Sequence, residues 1–277
     1  MKVLVTGGDG QLGTSLALQE SEHEIILCNH EELDIEDRSS ITRAMSIYRP
    51  DAVVNCAAWT DVDGCEQASD KAFNINGHAV GLLREIIEEF GSQLIQISTD
   101  YVFDGEKNSP YTETDSPNPL NVYGHSKLLG EQLAGDTALT IRTSWIFSST
   151  GQNILQTIIS LLATSQELRF VNDQIGCPTY SQDLAATILN LISSEETGLF
   201  HITNSDPVSW YELATQVAKL TDKKPERIIP ITTEELDPPR PALRPRNSVL
   251  NNKTMALNGY KPLRSHKEAL IDALKQQ

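Results

Sequence analysis

The stretch Lys2-Val3-Leu4-Val5-Thr6-Gly7-Gly8-Asp9-Gly10-Gln11-Leu12-Gly13 opens the chain and decides its fold. Its apolar run over 2–6 predicts a buried parallel strand, and the periodic residues over 11–19 predict a helix. The glycines between them satisfy both Gly-x-Gly-x-x-Gly and Gly-x-x-Gly-x-x-Gly. Glycine permits a tight turn and lets the backbone approach a pyrophosphate at the start of the helix. The stretch therefore predicts a dinucleotide-binding turn in preference to an ordinary glycine-rich turn.

The same alternation of short apolar runs and helical segments continues through the first half of the chain. Further strands are predicted over 24–28, 52–56, 94–98 and 139–143, and further helices over 39–48, 70–90 and 123–134. Strands that alternate with helices form βαβ units, in which the strands lie parallel. The expected fold class is therefore α/β, a Rossmann-type doubly wound parallel sheet with a smaller C-terminal α/β lobe that binds substrate.

The pattern becomes less regular after about residue 150. We predict an NAD(P)-binding Rossmann domain over 1–150 and a mainly substrate-binding lobe over 151–277, with a helix near 183–194 that returns to the first domain. The second part has predicted helices over 152–164, 209–221 and 265–275, predicted strands over 167–171 and 198–202, and a proline-rich stretch over 225–245.

Charge and cysteine content narrow the class of protein. The formal net charge is −16, and so acidic a surface repels nucleic acid and anionic lipid. The four cysteines show no metal-binding spacing, and the six histidines form no ligand cluster in the sequence, so neither a catalytic metal nor a disulfide framework is expected. No secretory leader or membrane-spanning run is visible, which predicts a cytoplasmic protein without nucleic-acid or membrane partners.

The end of the second predicted strand bears on the choice of cofactor. An NAD-specific site usually has a carboxylate there for the ribose hydroxyls, but this chain has Cys28-Asn29-His30. We expect NADPH as cofactor, with NADH possible, since the sequence does not select between them. Asp34 is placed to contact the adenine, although a role as a helix cap fits the sequence equally well.

A catalytic set is predicted where strand 94–98 ends and helix 123–134 begins. Tyr123 and Lys127 lie four residues apart, so they share one face of a helix. An ammonium near the phenol is expected to lower its pKa, and the tyrosine can then protonate a carbonyl oxygen as hydride arrives at the carbon. Thr99 lies at the carboxyl edge of the sheet, where doubly wound folds bind ligands, and can donate a hydrogen bond to the same oxygen.

These motifs together resemble the extended short-chain dehydrogenases/reductases. The resemblance rests on Gly7–Gly13, Asn55-Cys56-Ala57-Ala58-Trp59, Ser98-Thr99-Asp100-Tyr101-Val102-Phe103 and Tyr123–Lys127. Four further runs resemble, more specifically, the dTDP-4-dehydrorhamnose reductases: Gly10–Gly13, Arg142-Thr143-Ser144-Trp145, Asn172–Thr179 and Arg244-Pro245-Arg246-Asn247-Ser248. The similarity extends almost from end to end.

The resemblance implies reduction of the C4 keto group of dTDP-4-dehydro-L-rhamnose to give dTDP-L-rhamnose. It implies that Thr99, Tyr123 and Lys127 are catalytic, with Lys127 also holding the nicotinamide ribose. The implied cofactor contacts are Gly7, Gly10, Gln11, Leu12, Asp34, Ile35, Ala57, Ala58, Asn76, Tyr123 and Lys127. The implied substrate contacts are Tyr101, Trp145, Asn153 and Gln174, although Trp145 could also be a core residue.

Two departures from the family pattern are visible. Some members dimerise through a metal held by glutamates, one of them on the first helix, where this chain has Ser15. We therefore expect no metal, and any homodimer is expected to form without a metal bridge. Cys56 and Trp59 replace the commoner alanine and tyrosine, and both changes are mild.

Arg244 is our candidate contact for the substrate diphosphate, because arginine pairs bidentately with phosphate. It lies with Arg240 and Arg246 in an otherwise acidic protein, and a solvated loop that balances nearby acids is the alternative. Two other functions remain open: reduction of another 4-keto-6-deoxy nucleotide sugar, and a non-catalytic regulatory subunit resembling the methionine adenosyltransferase beta subunit. The intact catalytic set favours an enzyme.

Overall fold

A computed structural model describes residues 1–164 and 166–276 of the chain. Its strands are β1 Lys2–Thr6, β2 Glu24–Cys28, β3 Ala52–Asn55, β4 Gln93–Thr99, β5 Leu139–Thr143, β6 Ile146–Phe147, β7 Leu168–Val171, β8 Ile175–Gly176, β9 Thr179–Tyr180, β10 Gly198–His201, β11 Val208–Ser209 and β12 Ile228–Ile231. Its α-helices are α1 Gln11–Ala17, α2 Arg38–Tyr48, α3 Val62–Gln67, α4 Ser69–Phe73, α5 Ala79–Glu89, α6 Val122–Ala134, α7 Ile154–Leu162, α8 Ser181–Ser193, α9 Trp210–Leu220, α10 Lys253–Leu257 and α11 His266–Lys275.

The central layer is a six-stranded sheet in the order β10-β5-β4-β3-β1-β2, with every neighbouring pair parallel. Chain order reverses beside β1, since β2 lies on one side of it and β3 on the other. Doubly wound sheets bind ligands at such a switch point, beyond the carboxyl ends of the strands. The arrangement confirms the predicted α/β doubly wound class.

The sheet strands are apolar on both faces because helices cover each face. Val3 and Val5 point into one core with Leu184 and Ile188 of α8, whereas Leu4 between them points into a second core that packs against α2 and α5. This alternation is the period of two that a strand imposes. Burial on both faces explains why these strands are almost wholly apolar in sequence.

The chain beyond residue 150 contributes to both parts of the structure. Helix α8 packs against α1, and β10 extends the parallel sheet beside β5. Helices α7, α9 and α11 enclose a separate core that includes Leu155, Leu213 and Leu270. The domain division near residue 150 stays a prediction. No helix in the two described ranges is long and apolar enough to cross a membrane.

The predicted and the observed elements differ in several places. The helix predicted over 70–90 is interrupted by a π-helical turn, Asn74–His78, between α4 and α5. A π-turn is a single-turn bulge inside an otherwise helical segment, so a helix predicted from the overall pattern does not show it. The sequence analysis did not predict the short elements α3, α10, β6, β8, β9, β11 and β12, because they have too few residues to show a period.

Candidate active site

A cleft of about 470 Å³ lies over the switch point between β1 and β3. Six of the predicted cofactor residues line it: Gly7, Gly10, Asp34, Ile35, Ala57 and Ala58. His30, Trp59 and Lys71 also lie on its wall. Gln11 lies at the start of α1 and lines a second cavity, the one that also contains Thr99 and Tyr123. The cleft thus joins the glycine turn to the ends of β2 and β3.

The glycine turn fits a dinucleotide because it brings backbones too close together for side chains. Gly7 has φ +60°, and a Cβ there would lie 3.0 Å from the backbone nitrogen of Ala57. A Cβ on Gly13 would lie 2.7 Å from the Cα of Gly8. No side chain caps the start of α1, which leaves its first amides available. These residues would hold the diphosphate of a dinucleotide against the end of β1.

The two sequence interpretations of Asp34 are now distinguishable. Asp37 is the N-cap of α2, where its side chain accepts the Ser39 amide, so the helix-cap interpretation of Asp34 is wrong. The Asp34 carboxylate instead accepts the Glu36 amide at 2.9 Å. Its side chain is 38% exposed on the cleft wall, which leaves the second oxygen free for a ligand.

Two of the predicted cofactor residues have their side chains engaged elsewhere. The Asn76 amide accepts the Trp59 N–H at 2.8 Å and donates to the Trp59 carbonyl and the Ser126 hydroxyl, both at 3.0 Å. Asn76 therefore fixes the loop after β3 against α6, and its direct contact with the cofactor stays a prediction. The Leu12 side chain is buried in the core under the sheet, so only its backbone can face a ligand.

Thr99 and Tyr123 face one cavity of about 320 Å³. Thr99 ends β4, and Tyr123 lies in the first turn of α6, which Asn121 caps by accepting the Gly124 amide at 2.7 Å. Gly124 has no side chain, and any Cβ there would collide with the Tyr101 carbonyl oxygen. Glycine therefore lets the start of α6 close onto the end of β4, so that hydroxyl and phenol share a cavity.

Lys127 lies one turn after Tyr123 and is only 4% exposed. Its Nζ donates to the Ile97 carbonyl at 2.6 Å. Burial lowers the pKa of Lys127 to about 8, and the opposing effects of Glu131 and Cys56 are smaller. An ammonium has three protons to donate, so the bond to Ile97 fixes the side chain and leaves two for other partners.

The expected lowering of the Tyr123 pKa is wrong for this structure. Burial raises the pKa of the Tyr123 phenol above its ordinary value, and the Thr99 hydroxyl opposes this only in part. The physical reason is that the Lys127 ammonium bonds the Ile97 carbonyl while the phenol is desolvated. A raised pKa keeps the phenolic proton in place, and this protonated form is the one that an acid catalyst needs.

Two stacked indoles also line the cavity of Thr99 and Tyr123. Trp145, predicted to contact the sugar, has φ +48°, and its ring stacks on Trp210 with centroids 3.5 Å apart and planes at 9°. Its buried Nε1 has no hydrogen-bond partner among the described residues. A buried, unpaired donor beside a cavity suits a polar ligand atom. Trp210 was missed because it follows Ser209 in a capping box with Glu212, a pattern that indicates only a helix start.

A third cavity, of about 420 Å³, adjoins the second through Tyr101 and Trp210, which line both. Gln174 and Arg244 lie on its wall with two further cations, Arg169 and Arg240. The tertiary structure thus gathers Tyr101, Trp145, Gln174 and Arg244 around one connected space. A cationic wall next to the catalytic cavity suits an anionic group attached to the reacting one.

Arg244 has a partner that the sequence did not suggest. Its two terminal nitrogens donate to both carboxylate oxygens of Asp63, at 3.0 and 2.8 Å. The nearby acids considered from the sequence, Glu234, Glu235 and Asp237, precede Arg244 by ten residues or fewer. Asp63 belongs to α3 and lies 181 positions away. The pair ties the proline-rich loop to the first half of the chain. It also lowers the pKa of Asp63, chiefly through the hydrogen bond from Arg244.

Asn153 does not reach these cavities. Its side-chain oxygen caps α7 by accepting the amides of Leu155 and Gln156, and its nitrogen donates to the Ser148 carbonyl at 3.1 Å. All of its polar atoms are engaged in the local turn, so we replace its predicted substrate contact with a capping role.

Ser15, which stands where some family members have a metal-binding glutamate, is buried. The Ser15 hydroxyl donates to the Ser181 hydroxyl at 2.7 Å, where α1 packs on α8. Within the described ranges, no group of three or more His, Cys, Asp or Glu side chains is arranged to hold a metal. The four cysteines are free thiols.

Comparisons with known proteins agree with this geometry. Spore coat polysaccharide biosynthesis protein SpsK of Bacillus subtilis is 41% identical, with 100% of this chain and 98% of that protein covered. A solved dTDP-4-dehydrorhamnose reductase from Clostridium acetobutylicum is 39% identical, with a TM-score of 0.93 and coverage of 100% and 99%. The Bacillus anthracis dTDP-4-dehydrorhamnose reductase, solved in complex with NADP, is 33% identical, with a TM-score of 0.94 and the same coverage.

The family model described as RmlD substrate binding domain matches residues 1–277. The resemblance to dTDP-4-dehydrorhamnose reductases that the motifs indicated is therefore confirmed. The chain belongs to the RmlD substrate binding domain family.

Proposed function

We propose that this chain reduces the C4 keto group of dTDP-4-dehydro-L-rhamnose with NADPH and releases dTDP-L-rhamnose. The observation that carries the proposal is the cavity that Thr99 and Tyr123 share, because it has Tyr101 and Trp210 in common with the cationic cavity. Two residues of its wall, Gln11 and Thr60, directly follow residues of the dinucleotide cleft in the chain. A nucleotide sugar fits these two cavities, with its keto sugar beside Thr99 and Tyr123 and its diphosphate beside the arginines. Family membership and the NADP bound to the Bacillus anthracis relative support the choice of reaction and cofactor.

The residues of the chain perform the acid–base part of the reaction. NADPH, when bound, supplies the hydride. Tyr123 donates its phenolic proton to the carbonyl oxygen, because its raised pKa keeps that proton in place at neutral pH. Thr99 donates a hydrogen bond to the same oxygen and stabilises the charge that develops there. Lys127, fixed by the Ile97 carbonyl, holds the nicotinamide ribose with its remaining protons.

The two ends of the substrate would be held by different walls. Trp145 presents an indole face and an unpaired N–H to the sugar, and aromatic faces suit the apolar side of a sugar ring. Arg244, with Arg240 and Arg169 on the same wall, would face the diphosphate. The nucleotide-sugar partner thus spans two adjoining cavities, with Tyr101 at their border.

NADPH is the proposed first cofactor because the end of β2 has no carboxylate to repel a 2′-phosphate, and His30 lines the cleft there. NADH would bind the same glycine turn. We further propose a cytoplasmic location, which suits four free thiols. Any homodimer would form without a bridging metal, since the Ser15 hydroxyl bonds Ser181. In size-exclusion chromatography, we expect the same elution volume before and after treatment with a chelator.

The test follows the absorbance of NADPH, and separately of NADH, in the presence of dTDP-4-keto-6-deoxyglucose and a 3,5-epimerase. The wild type should oxidise the cofactor only when the epimerase is present, and Tyr123→Phe should lose about 10²-fold or more in kcat. Oxidation without the epimerase would indicate another 4-keto sugar. Cofactor binding with no turnover of either sugar would contradict the proposal and favour a regulatory role.

A further inference from the structure

Asp100 is a buried carboxyl directly beside the catalytic threonine. It is 2% exposed, and its Oδ1 lies 3.1 Å from the Thr99 hydroxyl. Its Oδ2 is buried without a hydrogen-bond partner in the part of the chain that the structure describes. No lysine or arginine of the described ranges forms an ion pair with it. A buried carboxylate without a cation is costly, so this environment favours the neutral acid.

The titratable groups around Asp100 do not supply a compensating charge. Tyr101, Tyr123 and Cys177 are the groups that its charge affects. All three are protonated and neutral at pH 7, since burial raises the pKa of each. Burial likewise raises the pKa of Asp100 to about 7, although the Ser248 and Thr99 hydroxyls and two backbone amides favour its charged form.

The Thr99 hydroxyl can donate one hydrogen bond through its proton and accept two through its lone pairs. One lone pair accepts the Tyr101 amide at 3.1 Å. If Asp100 is ionised, it can only accept, so the Thr99 proton must point at Asp100 and away from the catalytic cavity. If Asp100 is protonated, its O–H fills the second lone pair, and the Thr99 proton is free to point into the cavity.

We propose that Asp100 is a positioning residue that acts in its protonated form, donating to the Thr99 hydroxyl and so directing the Thr99 proton toward the substrate carbonyl. The inference rests on the proposed reductase function. Asp100 keeps its proton through the reaction, because the proton added to the carbonyl oxygen comes from Tyr123. The Ser248 hydroxyl, at the end of the Arg-Pro-Arg-Asn-Ser motif, lowers the pKa of Asp100 and so opposes the effect of burial.

The proposal sets the direction of a pH effect. Asp100 is protonated below its pKa and loses the proton as pH rises, so turnover should fall by about tenfold between about pH 6 and about pH 8 at saturating substrates. Lys127, whose pKa is about 8, adds a second loss of turnover at higher pH. An asparagine at position 100 donates from its amide at every pH and cannot titrate, so it should remove the first loss and leave the second.

The experiment compares wild type, Asp100→Asn and the matched control Asp104→Asn. Asp104 lies four residues later in the same segment and accepts hydrogen bonds from Tyr111 and Asn118. Its pKa is lowered, so it is ionised at neutral pH. Infrared difference spectra between acidic and mildly alkaline solution should show the carboxylic-acid C=O band in wild type and Asp104→Asn only. The pH profile of kcat is measured on the same three proteins.

The expected result is loss of both the band and the first pH-dependent decrease in Asp100→Asn, with turnover near the acidic wild-type value. Two results would overturn the proposal: an unchanged decrease in Asp100→Asn, or a folded, NADPH-binding Asp100→Asn that is inactive at every pH. In a Thr99→Val background, the same substitution should not alter the pH profile further. The infrared band needs no substrate, so failure of the proposed reductase function would be recognised separately.

Discussion

Replacing Gly176 with alanine should disturb the sugar wall while leaving the cofactor cleft intact. Gly176 lies in β8, paired with Val208 of β11, and its backbone is not in the left-handed region, so alanine is compatible with the main chain. An added Cβ would lie 2.6 Å from Cε2 and 2.9 Å from Nε1 of Trp145. Substitution therefore acts on the indole rather than on the strand.

The size of the effect follows from these distances. Carbon atoms in contact normally stay about 3.5–4.0 Å apart, so the Trp145 ring must move by about 1 Å. Trp210 is stacked on it at 3.5 Å, so the two rings must shift together or separate. Misplacing a substrate by about 1 Å can cost about 10²-fold in rate. We expect kcat/KM for the nucleotide sugar to fall by roughly 30- to 100-fold, and the overpacking to cost about 1–3 kcal/mol of stability.

The assay measures kcat/KM for the sugar, the Kd of NADPH and the urea midpoint for Gly176→Ala and for a matched control, Gly81→Ala. Gly81 lies in α5, where a Cβ would make ordinary contacts of 3.4–3.7 Å with Leu133, so the control should keep full activity. NADPH binding should be equal in all three proteins. Normal kcat/KM in Gly176→Ala, or an equal loss of NADPH affinity, would refute the assigned role of Trp145.

Three further predictions test charged groups. Glu131→Gln should lower the free energy of unfolding in urea by about 3 kcal/mol, because it leaves the buried Arg142 without its charged partner. The control Glu85→Gln removes an exposed ion pair and should lower it by less than about 1 kcal/mol. Equal losses in the two variants would contradict the reasoning. Arg244→Ala should raise the KM of the nucleotide sugar about tenfold with little change for NADPH, and equal changes would count against a diphosphate contact. NADPH affinity should decline as pH rises through about 8, where Lys127 loses its charge. The Lys127→Met variant should bind NADPH more weakly and show no such decline. A decline that persists in this variant would mean that another group causes the pH dependence.

The sequence by itself determined the features that are encoded locally. Strands over 2–6, 24–28 and 139–143 have the predicted bounds, because apolar runs between helices are buried in a parallel sheet whatever their distant neighbours are. The glycine turn was recognisable because its backbone conformation requires glycine. Tyr123 and Lys127 share a helix face because four residues make about one turn.

Only the tertiary structure decided which side chains meet across long distances in the chain. Trp145 stacks on Trp210, Arg244 pairs with Asp63, and the Asn76 amide bonds the loop after β3. Burial reversed the expected direction of the Tyr123 pKa shift. Each of these outcomes depends on how closely separate elements pack and how completely they exclude water. Local patterns specify the elements, whereas contacts and desolvation arise only after the elements are assembled.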